Sequence, residues 1–205
     1  MGAYEWGDGL REVTRANLSA FPRQASRLDA RRAAVAITLL AGPGGEAVLP
    51  LFRRSAALAR HAGQMGLPGG RFETGEDATA AARRELEEEL GVREGPDAVV
   101  GELDDFETRS GFVITPVVIW SSAAVGDLRP GVDGEIAQLH VLTLGALAAA
   151  AASAPDGTSE AFSLRFAFGN VYAPTAAMLF QFNEVALGGR LVRVRDFYQP
   201  PFTWR

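Results

Sequence analysis

Apolar and polar positions along this chain follow two different periods, which predict strands and helices in turn. Short apolar runs bounded by glycine, proline or charged residues predict strands. The predicted strands are 33–40, 47–52, 99–106, 112–120, 136–142 and 161–168. Apolar residues three and four positions apart predict helices. The predicted helices are 9–21, 77–90, 144–152 and 173–187. We therefore expect one α/β domain with a mixed sheet between helices.

Glycine and polar residues mark where several of these elements begin or end. The turn 42–45 joins two predicted strands, so they are expected to form a hairpin. Gly91 stands where a left-handed helix C-cap is expected, and Thr143 stands at an N-cap position. Helix 9–21 should cover the core or a partner subunit with its apolar side, formed by Leu10, Val13, Leu18 and Phe21.

Composition narrows the classes of protein that fit this pattern. The chain has 205 residues, 47% of them hydrophobic, which is enough for one large domain. A net charge of -5 argues against a general nucleic-acid binder. There is no cysteine and no apolar run long enough for a membrane span or a signal core, so we expect a cytoplasmic protein without a disulfide framework.

We expect three parts along the chain. An N-terminal extension with a short helix covers 1–30, the main domain covers 31–190, and an aromatic tail at 191–205 packs on that domain. The absence of internal repeats and of a long linker favours this single-domain organisation.

The candidate chemistry lies on the predicted helix 77–90. Glu85, Glu88 and Glu89 are three or four residues apart and share one helical face, flanked by Arg84. Two unit charges 4 Å apart repel by about 4 kcal/mol near a protein surface. A hard divalent cation such as Mg2+ or Mn2+ would turn this repulsion into attraction. A solvated acidic face is the alternative for such a run.

The spacing of the whole stretch separates these two interpretations. Gly70 is followed after five residues by Glu76, and after seven more by Arg84-Glu85-Leu86. One residue later come Glu88-Glu89, and after one more Gly91-Val92. This stretch resembles the signature of the Nudix hydrolases at every defined position. The resemblance implies an α/β/α sandwich with a mixed sheet and a metal-dependent hydrolase of nucleoside diphosphate derivatives.

The resemblance also implies roles for individual residues. Glu85, Glu88 and Glu89 would bind Mg2+ or Mn2+, with one carboxylate as a possible general base, and a backbone carbonyl of Gly69 would complete the ligands. Arg84 would orient the carboxylates, with Glu76 as its partner. Glycine at 69 and 70 allows the backbone to approach phosphate or metal closely.

The sequence before this signature indicates the substrate. Arg54-Ser55, Arg60, Gly63-Gln64 and Leu67-Pro68-Gly69-Gly70 resemble a motif of the coenzyme A pyrophosphatase branch, with departures at Phe52, Arg60 and Leu67. Coenzyme A carries a third phosphate, and a planar guanidinium binds two phosphate oxygens at once. We therefore expect Arg54, Arg60, Gly69, Gly70 and Arg71 to bind substrate, with 3′,5′-ADP and 4′-phosphopantetheine as products.

Other interpretations remain open at this stage. ADP-ribose, a dinucleotide or an oxidised nucleoside triphosphate are the alternative substrates, and a nucleotide-binding regulator without turnover is the alternative of another class. The partner is expected to be a small molecule, with neither nucleic acid nor membrane, and family resemblance suggests a homodimer. Weaker candidates for a further ligand or base are Glu107, Glu135 and Glu160, and His61 and His140 are expected to be structural.

Overall fold

The structure is a computed structural model that describes residues 4–56, 62–131, 134–158 and 161–203. Its helices are α1 Asp8–Ala20, α2 Ala78–Leu90, α3 Leu144–Ala152 and α4 Thr175–Gln181. Its first strands are β1 Arg31–Ala41, β2 Ala47–Arg54, β3 Met65–Gly66, β4 Gly69–Arg71 and β5 Val99–Glu102. The later strands are β6 Phe106–Glu107, β7 Phe112–Ala124, β8 Ile136–Thr143, β9 Ser163–Phe166 and β10 Gly169–Tyr172.

A mixed sheet forms the centre of the molecule, with strand order β3-β2-β1-β7-β5. β1 runs parallel to β7 from Arg31↔Phe112 onward and antiparallel to β2, which confirms the predicted hairpin. β8 pairs with β2, and β4 and β6 pair with β1 and β7 respectively. β9 and β10 form a separate two-stranded ribbon.

Helices cover both faces of this sheet, so the predicted α/β/α sandwich is confirmed. On one face, α2 buries Leu86 and Leu90 against alternate β1 residues such as Ala34 and Ala36. The other face holds the larger core, which includes Ile37 and Leu39 of β1. Residues of α1, α3 and α4 pack there, because successive β1 side chains point to opposite faces.

The ends of two helices confirm the predicted caps. Gly91 ends α2 with φ 69°, as predicted, and at the start of that helix Asp77, which was not predicted as a cap, accepts a hydrogen bond from the Ala80 N–H at 2.8 Å. Thr143 Oγ1 accepts from the Ala146 N–H at 3.1 Å at the start of α3. α2, which carries the candidate site, is therefore fixed at both ends.

Several predicted elements differ from the structure. The predicted strand 99–106 is divided into β5 and β6, and the predicted helix 173–187 continues past α4 as a wider π-helical segment, Phe182–Leu187. Val13 of α1 is 50% exposed, so its predicted place on the buried side is wrong. β3, β4 and β10 were not predicted, because strands of two to four residues leave almost no periodic signal.

Among the described residues, no helix combines the length and the apolar character required to cross a membrane.

Candidate functional site

Arg84 of α2 joins the acidic side chains of the candidate site. Its Nε donates to Glu76 Oε1 at 2.8 Å, and its Nη1 donates to Glu85 Oε1 at 2.9 Å and to Glu88 Oε2 at 3.1 Å. Its Nη2 donates to the Arg71 carbonyl at 2.9 Å. One guanidinium therefore fixes two α2 carboxylates, the loop before the helix and the end of β4 relative to one another.

Glu89 points away from Arg84 and towards the other side of the glycine-rich turn. Its Oε2 accepts a hydrogen bond from the Gly69 N–H at 2.9 Å. Arg54 Nη1 lies 3.9 Å from Glu89 Oε1, and Arg54 Nη2 lies 2.7 Å from Glu135 Oε2. Arg54 thus connects Glu89 to a carboxylate just before β8, which is where the sequence suggested a further acidic residue.

The two glycines of β4 are necessary for this close approach. A Cβ on Gly69 would lie 2.4 Å from the Ala34 carbonyl oxygen, a backbone atom that cannot move aside. A Cβ on Gly70 would lie 1.9 Å from Glu85 Oε1. Glycine at 69 therefore lets β4 pair with β1, and glycine at 70 leaves room for the Glu85 carboxylate.

The acidic residues differ in how strongly they hold their protons. Burial, with a smaller contribution from the nearby Glu85, raises the pKa of Glu89 to about 8 against the lowering effect of the Gly69 N–H. Burial also raises the pKa of Glu85. Hydrogen bonds from Arg84 lower the pKa of Glu76 and raise that of the guanidinium itself. The buried end of α2 therefore favours a neutralising partner.

The residues fit a hard divalent cation by their chemistry. Glu85, Glu88 and Glu89 offer only oxygen ligands, and the raised pKa of the buried Glu89 shows that this position favours neutralisation. In the described parts of the chain, no three acidic or histidine side chains surround one point closely enough to hold a metal. The Glu88 side chain is 58% exposed, and its contact with Arg84 Nη1 at 3.1 Å is the longest of the three that this guanidinium makes with Glu76, Glu85 and Glu88 through Nε and Nη1.

A cleft of about 390 Å³ opens beside these carboxylates, and we call it the central cleft. It lies against β1 residues such as Val35 that face away from α2. Its apolar surface includes Val35, Met65, Leu67, Ile114 and Met178. Arg54, Gly70 and Arg71 line it as well. Arg54 also contacts Glu89, and Gly70 lies against the Glu85 carboxylate. The acidic end of α2 and the central cleft therefore share a boundary.

The other candidates from the sequence lie in different surroundings. Arg60, His61 and Glu160 are outside the described residues. His140 stacks on Phe168 with ring centroids 4.4 Å apart, a packing role. Glu107 binds Ser26 and Arg195, each at 2.7 Å, so it does not join the α2 carboxylates.

Some residues at the central cleft carried no signal in the sequence. Arg31 stacks over the Phe112 ring at 3.9 Å, and Arg71, which the sequence did predict to bind substrate, lies 5.1 Å from the same ring. Gln199 and Thr203 reach the cleft from the end of the chain. Only the register of β1 with β7 and the path of the tail bring these residues together, and neither follows from a local pattern.

Comparison with known proteins agrees with this geometry. Residues 30–162 match the family described as the NUDIX domain. The protein named "Uncharacterized Nudix hydrolase NudL" from Escherichia coli (strain K12) is 40% identical over 92 residues, which cover 44% of this chain and 47% of that protein. The protein of the same name from Pectobacterium atrosepticum is 35% identical over 133 residues, covering 64% of this chain and 67% of that one.

The chain spans about half the length of most of the curated relatives it matches. Among solved structures, the Nudix hydrolase from Alicyclobacillus acidocaldarius aligns with a TM-score of 0.52 at 16% identity, covering 82% of this chain and all of that one. At this identity the likeness shows a common fold. The family match covers well over half of the chain, on the segment that carries the α2 carboxylates and the glycine-rich turn. This chain belongs to the Nudix family.

Proposed function

We propose that this chain hydrolyses the diphosphate linkage of a nucleoside diphosphate derivative with the help of Mg2+ or Mn2+. The best single substrate is coenzyme A or one of its thioesters, with 3′,5′-ADP and (acyl-)4′-phosphopantetheine as products. The observation that carries the proposal is the shared boundary between the α2 carboxylates and the central cleft at Gly70 and Arg54.

Glu85, Glu88 and Glu89, with the Gly69 carbonyl, are the groups that would hold the cation. When bound, a divalent cation offsets the negative charge on the diphosphate oxygens and lowers the pKa of water. Arg84 keeps Glu85 and Glu88 on one side of α2 through its Nη1, and Glu76 holds the other edge of its guanidinium. Arg84 is therefore a positioning residue rather than a group that touches substrate.

The chain's own cations bind and orient the diphosphate. Arg71 is exposed at the edge of the central cleft, next to Gly70, and its guanidinium lies 5.1 Å from the centre of the Phe112 ring. Arg54 lies at the same boundary between Glu89 and Glu135. A planar guanidinium at this boundary can bind two oxygens of one phosphate group. Glu135, close to Arg54, is placed to adjust how strongly that arginine holds phosphate.

Coenzyme A is favoured over the other candidates by the resemblance of 54–70 to the motif of the coenzyme A pyrophosphatase branch and by the cleft. Arg31, Arg54 and Arg71 lie at or beside the central cleft in a chain whose net charge is -5. This local excess of positive charge suits a substrate with three phosphates. A volume of about 390 Å³ also falls in the range of small-molecule sites.

The test is a hydrolysis assay of the full chain with Mg2+ or Mn2+ against coenzyme A, ADP-ribose, a dinucleotide and an oxidised nucleoside triphosphate. Glu85→Gln, Glu88→Gln and Glu89→Gln should each lower kcat on the order of a hundredfold or more, because each removes a charge that faces the cation. Glu87→Gln is the matched control, since Glu87 lies on the same helix but pairs with Arg93 at the surface. It should retain full activity.

Three outcomes contradict parts of the proposal. Cleavage of ADP-ribose with coenzyme A left intact would make the branch assignment wrong. Equal activity in the Glu88→Gln and Glu87→Gln variants would remove Glu88 from the mechanism. Calorimetric binding of a nucleotide without hydrolysis under either metal would identify a binding module instead of an enzyme.

A further inference from the structure

One wall of the central cleft comes from outside the segment shared with the family. The match ends at residue 162, whereas Pro174, Thr175, Met178, Gln199 and Thr203 all line the cleft. The carboxylates of α2 lie within the shared segment. The carboxylates proposed to act at the diphosphate therefore lie within the family segment, and this wall of the cleft lies after it in the chain.

Gln199 fastens this wall to the rest of the cleft. Its side-chain Oε1 accepts a hydrogen bond from the Arg109 N–H at 3.0 Å, and its Nε2 donates to the Glu107 carbonyl at 2.9 Å. The residue is 5% exposed. The side chain thus ties the tail to the turn that holds Thr108 and Ser110, two further residues of the cleft.

A second hydrogen bond holds the tail against the opposite side of the cleft. Gln64 Nε2 donates to the Phe202 carbonyl at 2.8 Å, next to Met65 of β3. Thr203 Oγ1 donates to the Pro200 carbonyl at 2.7 Å, which keeps the last turn of the tail compact. Residues 199–203 therefore bridge two sides of the cleft as a fixed wall.

The lining of the cleft suits an aliphatic chain with amide groups better than a nucleobase. Apart from Phe112, its apolar side chains are aliphatic or thioether, and Thr108, Ser110 and Thr203 are among its polar residues. Among the described residues that line it, Phe112 is the one aromatic ring. The Arg31 guanidinium already covers that ring at 3.9 Å. A base would find little free aromatic surface there, whereas hydrocarbon and amide groups would each find partners.

We propose that the central cleft takes the non-nucleotide arm of the substrate, an aliphatic chain carrying amides, and that the tail segment 199–203, positioned by Gln199, determines which arm is accepted. This inference rests on the diphosphate hydrolysis proposed above. It assigns Gln199 as a positioning residue for specificity, with no part in the cleavage itself.

The experiment measures binding and turnover separately. Gln199→Leu replaces the side chain by one of similar size and removes both hydrogen bonds to the 107–109 turn. The affinity for 4′-phosphopantetheine, measured by calorimetry, should fall roughly tenfold. It should raise KM for coenzyme A by a similar factor, leave kcat within about twofold, and leave the affinity for 3′,5′-ADP unchanged. Gln138→Leu is the matched control, because Gln138 is exposed on β8 and does not line the cleft. It should behave as the unaltered chain.

Hydrogen exchange on the unaltered chain tests the same inference without any substitution. Binding of 4′-phosphopantetheine should slow amide exchange in 107–112 and 196–203, and 3′,5′-ADP should not. Protection confined to other segments, or unchanged affinity in a folded Gln199→Leu variant of a chain that hydrolyses coenzyme A, would overturn the inference alone. No hydrolysis of any diphosphate by the unaltered chain would overturn the proposed function and this inference with it.

Discussion

Glu89 shows how one residue can be unfavourable for stability and suited to a cation. Its side chain is 11% exposed, and burial raises its pKa to about 8. The Gly69 N–H favours the charged form, but the loss of hydration and the nearby Glu85 outweigh this. A buried carboxyl of this kind is stable when protonated or when a positive charge replaces the proton.

The raised pKa of Glu89 predicts a specific dependence of stability on pH. Between its ordinary pKa of 4.5 and about 8 the folded chain keeps a proton that the unfolded chain releases. The free energy of unfolding should therefore fall as pH rises through this window, by about 1.4 kcal/mol per unit of pKa difference at most. The Glu89→Gln variant has no carboxyl proton to lose at this position. Its free energy of unfolding relative to that of the unaltered chain should therefore increase from pH 4.5 and level off above about pH 8.

Urea denaturation at a series of pH values without divalent cations measures this difference. Glu87→Gln should follow the unaltered chain throughout, because Glu87 is paired with Arg93 at the surface. Parallel curves for Glu89→Gln and the unaltered chain would show that Glu89 titrates normally.

Local periodicity predicted the neighbourhood of these carboxylates but not their individual directions. Helical spacing brings Glu88 to Arg84, as expected of residues four positions apart, and the long Arg84 side chain also reaches its chain neighbour Glu85. Glu89 instead points towards Gly69, because the turn of β4 passes on that side of α2. The contribution of Gln199 depends on a contact between residues 90 and 92 positions apart, which no local pattern records.

At the scale of elements, the sequence predicted long strands well and interrupted ones poorly. β1 and β7 are near-continuous apolar runs, and both were predicted because each is buried on two faces. The predicted strand 99–106 is interrupted at Leu103, Asp104 and Asp105, where the two aspartates bind arginines from distant segments. Tertiary ion pairs thus override the local tendency to extend the strand.

The caps of α2 and α3 allow stability and activity to be separated. Gly91 ends α2 with a left-handed φ of 69°, and its N–H donates to the Glu87 carbonyl at 2.9 Å. Gly91→Ala should lower stability by about 1 kcal/mol, because an L residue is strained there. Thr143→Ala removes the N-cap of α3 and should cost about the same. Only Gly91→Ala should also lower kcat, since the last turn of α2 holds Glu88 and Glu89.

Thermal denaturation and steady-state kinetics on the two variants provide the comparison. Thr143→Ala is matched in stability loss and lies on a helix without candidate site residues. An equal change of kcat in both variants would show that activity follows global stability rather than the order of the α2 C-terminus.

At the scale of the whole molecule, two adjacent aspartates connect both ends of the chain to its centre. Both carboxylate oxygens of Asp104 accept from Arg193 Nη1, at 2.7 and 2.8 Å. Asp104 also accepts from the Gln24 N–H and from Gln181 Nε2, each at 2.7 Å. Asp105 accepts from Arg23, from Arg32 and from Thr115. The segments before β1 and after the π-helical segment are therefore held by one buried ionic network.

This network predicts that Asp104 is more important for stability than surface ion pairs. Asp104 is 5% exposed, so Asp104→Asn would leave Arg193 facing a neutral amide in a partly buried position. We expect a loss of about 2 kcal/mol, reduced from the value for a fully buried pair because Arg193 is 30% exposed. Glu87→Gln, which breaks a pair whose arginine is 82% exposed, should cost less than about 0.5 kcal/mol.

A double-mutant cycle with Arg193→Met, followed by urea denaturation, separates the pair from its surroundings. Because each single change leaves a polar partner without its counterpart, the double variant should lose less than the sum of the single losses, by about 1 kcal/mol or more. Additive losses would show that Asp104 acts through Gln24 and Gln181 alone. In that case the tail would be held by its aromatic contacts, such as Phe197 against Phe162 at 4.5 Å, rather than by charge.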